Sequence, residues 1–174
     1  MASATCQAQI GTGASVSWAN AEGGICFDLA DSATDTTTPI PVPTSTGTVF
    51  SYIKNLVLAV TIAGTTTISN RNIYMSGATA TGLALFWEAV AVASYAQATS
   101  GNRPASSGSN GATPAGFTAM TTSAAVYDSA AVASSGTGPN GKIAVVCLSC
   151  DHTYVGGAGT AIALPSILVQ YDEA

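Results

Sequence analysis

The residues best placed to do chemistry lie in one run, Cys147-Leu148-Ser149-Cys150-Asp151-His152. Two thiols three positions apart, followed by the chain's single imidazole, have the makings of a metal site that Cys6 or Cys26 would complete. Against this stands the pattern in which they sit. Residues 143–150 (Ile-Ala-Val-Val-Cys-Leu-Ser-Cys) read as a strand, and positions i and i+3 of a strand point to opposite faces. Cys147 and Cys150 then share neither a zinc ion nor a disulfide, and all four cysteines are expected as buried or free thiols. A disulfide from the N-terminal segment to this strand is the alternative, unusual for a cytoplasmic product.

Nucleophilic catalysis fares no better. Serine and threonine are plentiful, but activating one needs a base, and His152 has only Asp151 beside it. If the strand runs on to Tyr154, those two side chains face apart. No Gly-x-Ser-x-Gly elbow is present. The nine carboxylates are Glu22, Asp28, Asp31, Asp35, Glu88, Asp128, Asp151, Asp172 and Glu173. Most fall in turns or at the terminus, not in the facing pair that glycoside hydrolysis requires. Glu88 alone sits in a strongly apolar segment, where a strand-face carboxylate is the plain reading. The Asp28/Asp31/Asp35 run lacks EF-hand spacing and reads as a solvated acidic turn. Gly11-Thr-Gly13 and Gly156-Gly157-Ala-Gly159 lack the strand–helix setting and lysine of a phosphate loop. No catalytic, cofactor or metal residue is assigned, and the chain is not expected to be an enzyme.

The elements that would position these residues follow from composition. Of 174 residues, 53% are Ala, Thr, Ser or Gly, and 7% are charged, against roughly 25% in an ordinary domain. With two lysines, two arginines and a net charge of −5, the chain cannot neutralise a run of phosphates, so nucleic acid is excluded as a partner. A helical bundle is equally disfavoured, because its outer faces need Glu and Lys at helical spacing. No stretch offers about 18 consecutive apolar residues, so no membrane span is expected. The first residues, Met1 to Cys6, show no secretory leader pattern.

Short apolar runs punctuated by Gly, Pro, Asn and Ser predict strands and turns. Expected strands are 16–18, 25–29, 50–62, 67–75, 83–94, 119–127, 142–154 and 162–171. A strand is preferred to a helix over 83–94 because Ala84, Phe86, Glu88 and Val90 alternate with Leu85, Trp87 and Ala89. Residues 96–118 form a long loop of small residues, and a loop of that length is usually functional or mobile. Residues 134–141 form a turn with an Asn-Gly signal. The fold expected is all-β, a single antiparallel β-sandwich of jelly-roll or immunoglobulin-like type with about eight strands. It divides into an N-terminal segment, 1–48, and a sandwich domain, 49–174. The alternate prolines of Pro39-Ile40-Pro41-Val42-Pro43 deny a ladder its N–H donors and predict an extended arm, the candidate interaction site. The segment 1–48 either lies along neighbouring subunits or packs on its own sandwich.

Several pieces in this order resemble small virion structural proteins of tailed bacteriophages. They are Cys26-Phe27-Asp28 with its Thr-rich link to Pro39–Pro43, Phe50-Ser51-Tyr52-Ile53-Lys54 heading a long strand, and Ile68-Ser69-Asn70-Arg71-Asn72-Ile73-Tyr74. Thr81-Gly82 with a strand ending at Tyr95, and the terminal Val169-Gln170-Tyr171-Asp172-Glu173, complete the set. The resemblance implies a non-enzymatic capsid decoration or cement protein, assembled in the host cytoplasm and resident in the virion. Its partners would be the major capsid protein and copies of itself, as a homo-oligomer. Head–tail or tail proteins are the near alternative. A carbohydrate-binding or host-adhesion sandwich is the distant one, with Trp18, Trp87, Tyr95, Tyr127 and Tyr154 as candidate aromatics, although Trp87 belongs in the core by its apolar neighbours.

Overall fold

Alternation is the rule that builds this chain. Leu56, Leu58 and Val60 turn to one side of their strand and Val57 and Ala59 to the other, and both sides are buried. The computed structural model describes residues 2–22, 24–34, 37–156 and 164–174. Its first strands are β1 (Thr5–Thr12), β2 (Ser17–Asn20), β3 (Thr48–Phe50), β4 (Lys54–Ile62), β5 (Thr67–Met75) and β6 (Leu83–Ala91). There follow β7 (Thr118–Ala119), β8 (Ala125–Asp128), β9 (Val132–Ala133), β10 (Gly138–Pro139), β11 (Lys142–Asp151) and β12 (Ile167–Glu173).

They form two antiparallel sheets packed as a β-sandwich and not closed into a barrel. The large sheet runs β2-β1-β4-β11-β6-β7, with β10 added to β4 and β3 to β11; the small sheet runs β12-β5-β8, with β9 added to β5. Between them lies the main core, built from Ile10, Leu56, Leu85, Trp87, Val146 and Leu148 of the large sheet and Ile73, Met75 and Tyr127 of the small one. Among the described residues no helix is long and apolar enough to cross a membrane.

Several elements differ from the sequence expectation, each for a local reason. The N-terminal residues Thr5–Thr12 are a strand that lies inside the large sheet between β2 and β4, so the sheet runs across the division at residue 48. Residues 25–29 form no strand: only an isolated bridge joins Asp28 to Pro39, because the Asp28 side chain is drawn inward. The expected strand 50–62 is two strands along β11. At the break Ser51 N donates to Leu148 O (2.8 Å), while Ser51 Oγ, not a carbonyl, accepts from Leu148 N (3.0 Å). The expected strand 119–127 is also split, β7 joining the large sheet and β8 the small one, with a Thr121–Ser123 hydroxyl turn carrying the chain across. β11 stops at Asp151, whose carboxylate caps the turn that follows. The turn at Gly157–Gly159 and the start of the strand expected at Ile162 lie outside the described residues, as does Asp35.

The loop after β6 forms a third layer. Val92–Ser94 is a single 3-10 turn, and the chain then crosses the outer face of the large sheet. There Tyr95, Ala98 and Phe117 pack on Ile53, Val57, Ala59, Ile143 and Val145. Asn55 donates its amide to Ala96 O at 3.0 Å, Ser107 exchanges backbone bonds with Thr48 (2.8 and 2.9 Å), and Gly111 N donates to Asp151 Oδ2 at 3.1 Å. Small residues suit this task, because they let backbone lie flat on a sheet without large side chains holding it away.

Candidate interaction surfaces

The charged residues show first what the surface is made of. Lys54 opens β4 pointing inward and is 2% exposed. Its ammonium donates to Asp28 Oδ1 (2.7 Å), Ala30 O (2.8 Å) and Ser32 O (2.7 Å), which uses all three N–H bonds. Asp28 is therefore a buried ion-pair partner, not part of a solvated acidic turn, and the pair ties the segment before the proline run to the large sheet. Removing one partner of such a pair typically costs about 3–5 kcal/mol, because the other charge stays buried.

A second buried pair joins the small sheet to the turn that precedes β11. Asn70 of β5 is left-handed (φ 46°), and the register slips beside it, which turns the Arg71 side chain inward. Arg71 pairs with Asp128 of β8 and donates to Asn140 O (2.5 Å). Asp128 also accepts from Lys142 N (2.7 Å) and Ala130 N (3.0 Å). The Asn-Gly turn expected from the sequence ends here for a reason beyond turn chemistry. Gly141 has φ +76°, and a Cβ there would overlap both Arg71 and Asp128. Of the four cations in the chain, these pairs bury two and leave Arg103 and Lys142 nearer solvent.

The proline run lies on its own molecule. Ile40 and Val42 pack against the main core, while Pro39 and Pro41 face outward. It joins the chain's own framework through the Asp28–Pro39 bridge and the bond from Leu29 N to Thr38 O (2.8 Å). Its exposed edge is therefore the two outward prolines and the loop around them.

The strand reading of the cysteine run holds: Cys147 packs beside Phe50 and Phe86 on the outer side of the large sheet, and Cys150 enters the main core on the other. All four cysteines are free thiols, Cys6 and Cys26 half-buried. Burial pushes the Cys147 thiol up to about 12, with Glu88 adding to the effect. Asp151 and His152 also diverge. His152 is exposed, whereas Asp151 Oδ1 accepts from Thr153 Oγ1 (2.6 Å) and Thr153 N (2.8 Å). These bonds, from the Thr153 hydroxyl above all, hold the Asp151 carboxyl below its ordinary range. Glu88 is half-buried on the outer strand face, and burial raises its pKa.

Of the candidate aromatics, Trp87 and Tyr127 are buried and Tyr154 packs against the core. Trp18 and Tyr95 meet edge to face at 5.9 Å and 67°, closed over Gly11, with Tyr95 Oη donating to Gly13 O at 2.9 Å. Two rings so inclined brace the loop layer and give no flat platform for a sugar face.

Among the described residues nothing covers the outer face of the small sheet. In register across it lie Leu168 with Tyr74, Gln170 with Asn72 and Val126, and Asp172 near Asn70, whose amide donates to Asp172 Oδ2 at 2.8 Å. Val126 is 50% exposed. Beside the β12 edge a cleft of about 460 Å³ opens between the sheets, lined by Ala8, Leu56, Phe27, Ile167 and Val169, with Glu22 at its polar part. Sequence reasoning missed the buried pairs and the open amide face. The pairs join residues far apart in sequence; the face follows only from knowing which sheet the loop covers. No protein-family model matches this chain, and no curated protein or solved structure matches it either.

Proposed function

We propose that this protein is a non-enzymatic structural component of a bacteriophage virion, a capsid decoration protein that stabilises the shell through contacts with the major capsid protein and with copies of itself. The observation that carries the reading is the depletion of surface charge. The chain begins with four cations, and two of them are turned inward to Asp28 and Asp128. A surface with so few charges costs little to desolvate against another subunit, and in isolation it tends to associate. A sandwich whose loop layer and proline run are fastened to its own body offers a rigid block for repeated weak contacts, which add up across a lattice. Low charge, the all-β fold and the resemblance in the Cys26–Pro43, Phe50–Lys54 and Val169–Glu173 pieces support the same reading.

Electron microscopy of purified particles labelled with an antibody to this chain tests it. Labelling distributed over the head is expected. Labelling confined to the neck or tail would move the protein to the head–tail or tail class, and unlabelled particles would end the virion reading.

A further inference from the structure

Among the described residues β12 is an edge strand of the small sheet that uses half of its pairing capacity. Ser166 O accepts from Ser76 N (2.9 Å), and Ala174 exchanges bonds with Thr67 (2.8 and 3.1 Å). With the register Leu168 to Tyr74, Gln170 to Asn72 and Asp172 to Ser69, the even-numbered residues turn their peptide groups to β5. The irregularity near residue 171 lies on the β5 side, where Asn70 and Arg71 stand against one residue of β12. Ile167, Val169, Tyr171 and Glu173 therefore aim N–H and C=O away from the sheet, with no backbone partner among the described residues. From Ile167 to Glu173 the strand has neither the lysine nor the proline that usually blunts such an edge.

We propose that this edge pairs antiparallel with the β12 edge of a second copy, about a twofold axis at Val169, joining two small sheets into one. The strand's own sequence is self-complementary about that axis, and its charges set the register. Both carboxylates of the strand, Asp172 and Glu173, sit at its C-terminal end. The axis at Val169 sets them opposite the neutral Ser166 and Pro165 of the other copy, whereas an axis at Tyr171 brings the two Asp172 carboxylates to diagonal positions and one at Glu173 sets carboxylate directly against carboxylate. On the inner face Val169 meets its own equivalent, and Ile167 meets Tyr171, a β-branched–aromatic cross-strand pair. On the outer face Leu168 meets Gln170. The ladder ends itself, because Pro165 has no N–H to give to the Glu173 carbonyl opposite. Pairing also extends the small sheet on the side where Ile167 and Val169 line the cleft. The inference rests only on the self-association part of the function proposed above.

The test measures the mass of the full chain in solution across a concentration series, by sedimentation velocity. The wild type is expected to dimerise. Leu168→Lys with Gln170→Lys places like charges opposite each other across the axis and is expected to weaken the dimer roughly tenfold or more. Leu168→Lys with Gln170→Glu places opposite charges there and is expected to restore it. Both positions project from the outer face, so thermal melts of the two variants should match; a pair of unequal melts is replaced by Val169→Pro, which removes an outward N–H that β5 does not use. A wild type that stays monomeric, its edge left for another protein's strand, overturns the proposal, as do double variants that behave alike. A charge-governed dimer that labels no particle upholds the pairing and sinks the virion reading. Labelled particles with a monomeric protein do the reverse.

Discussion

The two outer faces of this sandwich are built to opposite ends. The large sheet turns Ile53, Val57, Ala59, Ile143 and Val145 outward, and residues 92–117 close over them, so both faces of β4 and β11 are interior. The small sheet turns Asn70, Asn72, Tyr74, Val126 and Gln170 outward, and no described segment covers them. The difference teaches where binding can occur. One face has spent its apolar surface on the chain's own loop, while the other carries amides, which both donate and accept and so suit contact with a neighbour.

Substitutions that treat the two faces alike should break this contrast. The largest effect is expected for Val57→Asp, which buries an unpaired carboxylate under the loop layer: a loss of about 4 kcal/mol or more in urea unfolding. Asn55→Ala comes next. It removes the bond that holds Ala96 over the sheet and should cost about 2 kcal/mol, with faster hydrogen exchange confined to the loop. Asp151→Asn is smaller, about 1 kcal/mol, and its signature is a pH dependence. The folded Asp151 carboxyl lies below its ordinary value of 3.8, so its contribution is complete above that pH and lost as pH falls through the lower folded value. Urea midpoints should decline below about pH 4 in the wild type and less so in the variant. Smallest is Val126→Asp, the same exchange as the first on the open face, expected to cost under about 1 kcal/mol. Equal losses at Val57 and Val126 would show that both faces are covered.

Much of this was legible where burial imposes period two. β4, β6 and β11 announce themselves because large apolar residues fall on both of their faces, and the divergence of Cys147 from Cys150 follows from spacing alone. β1 does not announce itself: in Thr-Cys-Gln-Ala-Gln-Ile-Gly-Thr only Ile10 is a large apolar residue, and the strand is held by its two neighbours. The inward turn of Arg71 depends on a left-handed Asn70, and Lys54 finds Asp28 across 26 positions. Neither has a local signature. The loop layer was hidden for a third reason. Ala, Gly and Ser mark residues 96–118 as a long loop in sequence, and only contact with Val57 and its neighbours gives that loop a place.

One consequence of the strand order concerns synthesis. β11 lies between β4 and β6 at the centre of the large sheet and is buried along nearly its whole length, yet it is the last strand of that sheet to leave the ribosome. Until residue 151 is made, two apolar strands wait with open edges toward the same gap. Pairings across such separations close slowly. The nascent chain is thus most prone to aggregate before β11 emerges, and slower growth at low temperature should raise the yield of folded protein.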